Sequence, residues 1–342
     1  MKKICLLLLL FIPVIIAAQS DTLNRTDSQG RKQGYWKKYE KGKLIYEGRF
    51  VNDVPAGVFT YYYTNGKIKS KSNFLNGTHK VETTMYDEQG KKASEGLFID
   101  QQKEGRWSYY GENEVLVKIE SYKNGKKEGA WKTFSNQSGT VLKEENYKND
   151  KLDGKRITYF ANGDTNTIAN YINGRVNGKY ISYYPDKKLS YYGVYHNDMK
   201  IGTWDYYDFE GKLRKTIEYK DDIADKTYLY FYNGSAAQKL EQSAIAYIRK
   251  IDERKTEITS HNDKKIVFND SYESIFSWLD ILDFCHISTS LSASYDAIKG
   301  YKKLDKESVS VKLLPKPNFD VIAKGDYAKI IIGLFNTSIP KE

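Results

Sequence analysis

The chain has 342 residues, a formal charge of +10 at pH 7, 14% aromatic residues and two cysteines. Only Cys285 lies outside the N-terminal apolar run, which excludes a disulfide-stapled scaffold and a CxxC centre. The basic excess is scattered as single lysines beside turns rather than gathered into a stripe, so nucleic acid is not expected as a partner.

The first twenty residues read "MKKICLLLLLFIPVIIAAQS". Lys2 and Lys3 precede an apolar run from Leu6 to Ile16, and the small residues Ala17 and Ala18 follow. This layout predicts a secretory signal peptide over residues 1–18, cut before Gln19. The run is shorter than the roughly 18–20 residues a bilayer span requires. No cysteine follows the small residues to take a lipid. The expected location is therefore exported: periplasmic, outer-membrane associated or secreted. Residues 19–33 form a lead-in, and "DSQGRKQG" (27–34) resembles the tail of a preceding partial repeat.

From residue 34 the chain repeats itself. Unit starts fall at Gly34, Gly57, Val81, Gly105, Gly129, Gly154, Gly178, Gly202 and Lys226, with steps of 23 to 25 residues. Five residues past the starts stand Tyr39, Tyr62, Tyr86, Tyr110, Phe134, Tyr159, Tyr183, Tyr207 and Phe231, all aromatic. Two residues past them stand Trp36, Phe59, Trp107, Trp131, Tyr180, Trp204 and Tyr228, while Thr83 and Arg156 break the column. Turn pairs such as Asn65-Gly66, Asn76-Gly77, Asn124-Gly125 and Asn197-Asp198 separate the aromatic runs. These pairs tolerate the positive φ angles of tight hairpins, and the runs between them suit pleated strands. Each unit is expected to be strand, turn, strand, turn.

Small residues recur two positions before the last aromatic of a unit, at Gly48, Ser72, Gly96, Ala169 and Gly193, with Glu120, Glu145 and Ile217 as exceptions. Residues two apart in a strand share a face, so these positions leave room for a ring from the next unit. Trp204 and Tyr207 are three apart, which requires either a bulge or rings on both faces.

The pattern "GxWxxYYxxGKLxxxxxYxNGxxxG", clearest in 34–57, 105–129 and 202–222, resembles the MORN-variant repeat of exported bacterial proteins, a family often labelled antitoxin-like. The resemblance covers roughly residues 27–234 and implies a scaffolding role on an elongated sheet of stacked hairpins. MORN repeats are also linked to membrane lipids. Nothing in the residues points to a toxin partner.

After Ser235 the period stops. "AAQKLEQSAIAYIRKIDE" (236–253) places Ala237, Leu240, Ala244, Ile248 and Ile251 at helical spacing, and "SYESIFSWLDILDFC" (271–285) predicts a second helix. "SVSVKLL", "FDVIA" and "YAKIIIGLF" read as strands. The fold expected is mainly β: an elongated single-layer antiparallel meander of stacked hairpin repeats over 34–234, then a small α+β domain or cap over 235–342.

No catalytic, cofactor or metal site is expected. His79, His196, His261 and His286 show no ligand spacing. A hydrolase triad drawn from His261, Asp263 and Ser271 has no supporting motif. Cys285 and His286 are adjacent and would diverge. Trp36, Trp107, Trp131 and Trp204 are expected in the core. Tyr61, Tyr109, Tyr206 and Tyr230 are the candidate partner-binding aromatics. The function expected is a non-enzymatic scaffold for a protein or glycan partner in the envelope. The alternatives are a ligand-binding or enzymatic domain in 235–342, and binding of the repeats to an anionic membrane surface.

Overall fold

The computed structural model describes residues 23–75 and 78–336, with 62% of these described residues in strands and 7% in helices. The expected signal peptide and the Asn76-Gly77 turn lie outside the described residues. The chain forms two compact units, one ending at Gly139 and the other beginning at Thr140.

In the first unit, strands from Arg25–Thr26 to Gly129–Phe134 pair antiparallel with their chain neighbours. The second unit follows the same grammar from Val141–Lys148 to Ala236–Glu241. The antiparallel meander is thus present in both. At the joints between repeats both turn residues take positive φ, as at Asn52 (50°) and Asp53 (66°), and at Asn197 (51°) and Asp198 (72°). Paired positive φ is the signature of the turn whose twist matches the flanking strands.

Two irregularities recur. Inside a hairpin, one residue of the second strand is left over just before the all-aromatic column. Tyr206 pairs with Lys215 and Tyr207 with Leu213, which leaves Arg214 in a bulge. The same slip occurs at Tyr39, Tyr62, Tyr86, Tyr110, Tyr159 and Tyr183. Between repeats, Tyr192 pairs with Asp205 and Val194 with Ile201, so Gly193 faces three residues beginning at Gly202. Gly202 has φ +63°. A left-handed residue inside this bulge explains the glycine that opens a unit. Where Val81 replaces it, Ser70 to Phe74 pair with Met85 to Val81 in unbroken register.

The last repeat changes parity. Glu218 pairs with Lys226 and Tyr219 with Ala224, so a single residue, Asp225, is left over. Two extra residues preserve which side chains face which way, whereas one reverses them. On the strand Ile223–Asn233, Leu229 therefore pairs with Lys215 and shares a face with Tyr206, while Tyr228 and Tyr230 point the other way.

That reversal builds the joint to the tail. Leu229 and Phe231 are 0% and 2% exposed and belong to one core with Ile245, Ile248, Ile258, Phe268, Ile275 and Phe284. Phe231 stacks on Phe268 at 4.8 Å. Arg214, the bulge residue, is itself buried and pairs with Asp270. The tail consists of a five-stranded and a three-stranded sheet with two helices, α1 (Tyr272–Phe276) and α2 (Asp326–Asn336). A second core, which includes Tyr247, Ile287, Val309 and Ile331, lies within the tail.

Three expectations for the tail are corrected. Residues 236–253 are not a helix but the strands Ala236–Glu241 and Ile245–Asp252 joined by a single 3-10 turn. Ile245 and Ile248 enter the core at the joint, while Ala246 and Tyr247 enter the other. A strand buried on both sides lacks the two-residue alternation and imitates helical spacing. The helix expected over 271–285 is confined to α1, and Phe284–Ser288 is a strand. The segment "YAKIIIGLF" is helix α2 rather than a strand. Its three consecutive isoleucines suggest β structure, but Ala328 and Ile331 bury at helical spacing after Gly325 turns the chain with φ +57°.

Phe231→Ala is expected to cost roughly 3–5 kcal/mol in chemical denaturation because it opens the joint. Ile223→Ala on the same strand, at a side chain 71% exposed, is expected to cost less than about 0.5 kcal/mol.

Candidate functional site

In each compact unit one face of the repeats carries a ladder of rings. Trp204 lies edge-on to Tyr195 at 4.9 Å and to Tyr219 at 6.2 Å, with Tyr191 at 6.3 Å. Gly193 lies beneath it: a Cβ there would stand 2.1 Å from the indole. The same clash would arise at 2.5 Å between Gly48 and Phe59 and at 2.3 Å between Gly96 and Trp107. The expected seating of a ring over a small residue of the preceding unit is therefore present. Phe59 is clamped edge-on by Phe50 at 5.0 Å and Phe74 at 5.2 Å.

The four ladder tryptophans share a feature that sequence inspection missed. Lys32, Lys103, Lys127 and Lys200 each stand four residues before a tryptophan, with the ammonium 5.1, 4.6, 4.6 and 4.8 Å from the ring centre. Units with Phe59 or Tyr180 in place of tryptophan have Pro55 or Val176 there. The indole quadrupole attracts the cation most strongly of the three aromatic types. Each indole N–H also donates to a carbonyl, including Trp107 to Leu97 at 3.1 Å and Trp204 to Val194 at 3.2 Å. The "KxxxW" spacing was the available signal. Trp107, Trp131 and Trp204 are buried as expected, whereas Trp36 in the first unit is half-buried.

The opposite face answers the question raised by Trp204 and Tyr207. Glu47 and Glu95 flank the seating glycines and so point away from the ladder. Tyr62 donates to Glu47 at 2.5 Å, and Tyr110 donates to Glu95. Lys37 and Lys92 complete these clusters at 3.3 and 2.6 Å. Both faces carry rings.

The candidate tyrosines fall into two groups. Tyr61, Tyr109 and Tyr206 are half-buried members of the ladder face, beside Phe59, Trp107 and Tyr191. The Tyr109 hydroxyl accepts from Lys103 at 2.6 Å. The reversed strand turns Tyr230 to the other face, where its hydroxyl lies 3.4 Å from Thr216. The structure does not bring the four together as one surface.

Two departures from the small-residue rule, Glu145 and Glu120, are compensated. Glu145, where a glycine would seat a ring, pairs at 3.4 Å with Arg156, which replaces the ring. Glu120 is 5% exposed. Burial works against its charge, but hydrogen bonds from Lys118, Tyr109 and Tyr122 outweigh it and hold the carboxyl below the ordinary value of 4.5.

A departure in the ring column is not compensated. In the unit that opens at Val81, Thr83 replaces the ring and hydrogen-bonds Ser72, the small residue opposite, at 3.1 Å. Tyr61, Phe74, Met85 and Phe98 still stand around this point. They enclose a groove of about 690 Å³, with His79 and Lys69 also on its lining.

Elsewhere the chemistry is structural. Ser271 caps α1, and His261 contacts Ser294 at 3.4 Å, so the triad residues are not assembled. His286 bonds Ser292 at 2.8 Å and Tyr272 at 3.1 Å, while Cys285 faces the core within the tail. Among the described residues, no three of His, Cys, Asp and Glu are grouped to hold a metal.

Two measurements test these pairings. Glu145→Gly and Arg156→Trp should each destabilise alone and recover together, with a coupling of about 1–3 kcal/mol in a double-mutant cycle. The depressed Glu120 value lies below the unfolded one, so its contribution is complete above pH 4.5 and is lost as pH falls through the folded value. Glu120→Gln should flatten the acid limb of stability below that pH.

Residues 56–76 and 103–124 match the family model for the MORN repeat variant. No curated protein matches the sequence. Among solved structures, the LytTr DNA-binding domain of a response regulator from Bacillus cereus is 13% identical over 32% of this chain and 95% of its own, with a TM-score of 0.27. A TcdB2–TccC3–Cdc42 complex is 10% identical over 73% of this chain and 17% of its own, with a TM-score of 0.18. The matched stretches fall on the units that open at Gly57 and Gly105, whose seated rings are Phe59 and Trp107, and these units are MORN-variant repeats.

Proposed function

We propose that the protein is an exported, non-enzymatic scaffold whose strand repeats bind a protein partner in the cell envelope, with residues 235–342 as an end cap. The apolar joint at Leu229 and Phe231 carries the proposal. A tail carried as an independent module would need only a loose attachment. Here the last repeat reverses its faces to feed that joint, and Arg214–Asp270 reinforces it. Repeats of this kind serve as scaffolds for protein or membrane-lipid contact. Several charged side chains of the repeats are engaged in Lys–Trp, Glu–Tyr and Glu–Arg contacts, which favours a recognition surface over a reaction centre.

The chain from Gln19 onward, immobilised and challenged with a detergent extract of envelopes, should retain one protein in stoichiometric amount. Neither about 0.5 M salt nor soluble oligosaccharide should release it. Retention of nothing overturns the proposal. Salt-sensitive sedimentation with anionic vesicles, without protein capture, transfers the scaffold to a lipid surface.

A further inference from the structure

The groove at Thr83 is a ladder position with its ring missing. Its walls are the groups that hold a ring in the neighbouring units. Phe59 sits between the terminal aromatics Phe50 and Phe74; the corresponding walls at Thr83 are Phe74 and Phe98. Phe59 is flanked on its own strand by Tyr61, and Thr83 by Met85. Phe59 lies over Gly48, and Thr83 is opposite Ser72, still small. The other loss of a ring, at Arg156, is offset by a partner substitution at Glu145. Here the small seat is kept, the ring is gone, and the walls remain.

We propose that this vacancy is a binding site for an aromatic side chain of a partner protein, which enters edge-on between Phe74 and Phe98 and completes the ladder. The proposal rests on the scaffold reading and names the contact by which it recognises its partner. The chemistry of the walls selects the occupant. Phenyl and thioether groups pack against a ring edge or face, and the floor hydroxyls of Ser72 and Thr83 satisfy one another. A sugar set on this floor would find both floor hydroxyls already paired with each other, at the cost of unpaired donors, and of the other polar residues on the lining His79 and Asp100 are joined at 3.0 Å. The space of about 690 Å³ takes a ring together with the peptide that bears it. Register favours a phenyl or phenol over an indole. The tryptophans at 107 and 204 donate to carbonyls where the glycine bulge interrupts pairing, and the Ser72–Thr83 junction has no such bulge.

The methionines make the site observable. Only Met1, Met85 and Met199 occur in the sequence, and Met85 lines the groove while Met199 lies in the other compact unit. The full chain carrying methionine labelled with carbon-13 at the methyl group would be titrated with the capped tripeptide Ala-Phe-Ala amide. Capped Ala-Ala-Ala amide and methyl β-glucoside serve as controls. The phenylalanine peptide is expected to move the Met85 methyl upfield by ring current, saturably, with Met199 unmoved and both controls silent. Thr83→Phe should place the Met85 methyl upfield without peptide and abolish its response; Phe74→Ala should weaken the response at least fivefold while leaving Met199 in place. Several outcomes overturn the proposal: a Met85 signal that ignores the phenylalanine peptide, one that responds equally in Thr83→Phe, or one that responds to the glucoside instead. A Met85 position that depends on protein concentration alone would assign the site to a second copy and overturn it too. If the envelope protein retained on the resin binds Thr83→Phe undiminished, this inference falls while the scaffold reading stands.

Discussion

A ring from one repeat set over a side-chain-free position of the repeat before it is the contact on which this protein depends. A meander with one layer has no opposing sheet to bury its apolar face, so the rings must find their neighbours sideways, across strand pairs. That demands backbone close enough that a Cβ would stand within about 2.5 Å of the ring, as at Gly48, Gly96 and Gly193. Much else follows from this approach. The interruption of pairing that brings the ring over its seat requires a left-handed residue, supplied by the opening glycine. It also leaves a carbonyl for the indole N–H, and the exposed side of the indole is closed by the lysine four residues earlier.

The same constraint explains how the repeat varies. A ring cannot sit over a glutamate without penalty, and where Glu145 occupies the seat, Arg156 replaces the ring with an ion pair. Glu120 keeps its charge in a buried place because Lys118, Tyr109 and Tyr122 surround it. At Glu145 and Arg156 seat and occupant change together, as expected of residues whose energies are coupled, while at Glu120 only the seat changes and Trp131 keeps its ring. At Thr83 only the occupant changed.

Much of the repeat region was legible in the sequence because its period of about 24 residues aligned equivalent positions nine times over. The aromatic columns, the small seats and the turn pairs all appeared in that alignment. Facing was harder to see. Tyr230 occupies the same column as Tyr61, Tyr109 and Tyr206, yet one leftover residue, Asp225, turns it to the other side. Column identity records spacing from a start, whereas facing depends on pairing with the neighbouring strand. In the tail, without a period, local spacing stood alone. It failed where a strand was buried on both sides and where consecutive isoleucines joined a helix. The vacancy was visible only as a missing aromatic at Thr83; that its walls remain in place required coordinates.

The single leftover residue at Asp225 also gives the array a direction of growth. Every earlier junction of the second compact unit preserves facing, so a unit duplicated there presents its rings on the same side as its neighbours. The final strand still delivers Leu229 and Phe231 to the tail. A unit copied beyond the reversal would instead offer hydroxyls and phenols where the tail requires hydrocarbon. The lineage of such a protein can lengthen or shorten its array from within, while its last hairpin and tail are inherited as one indivisible piece.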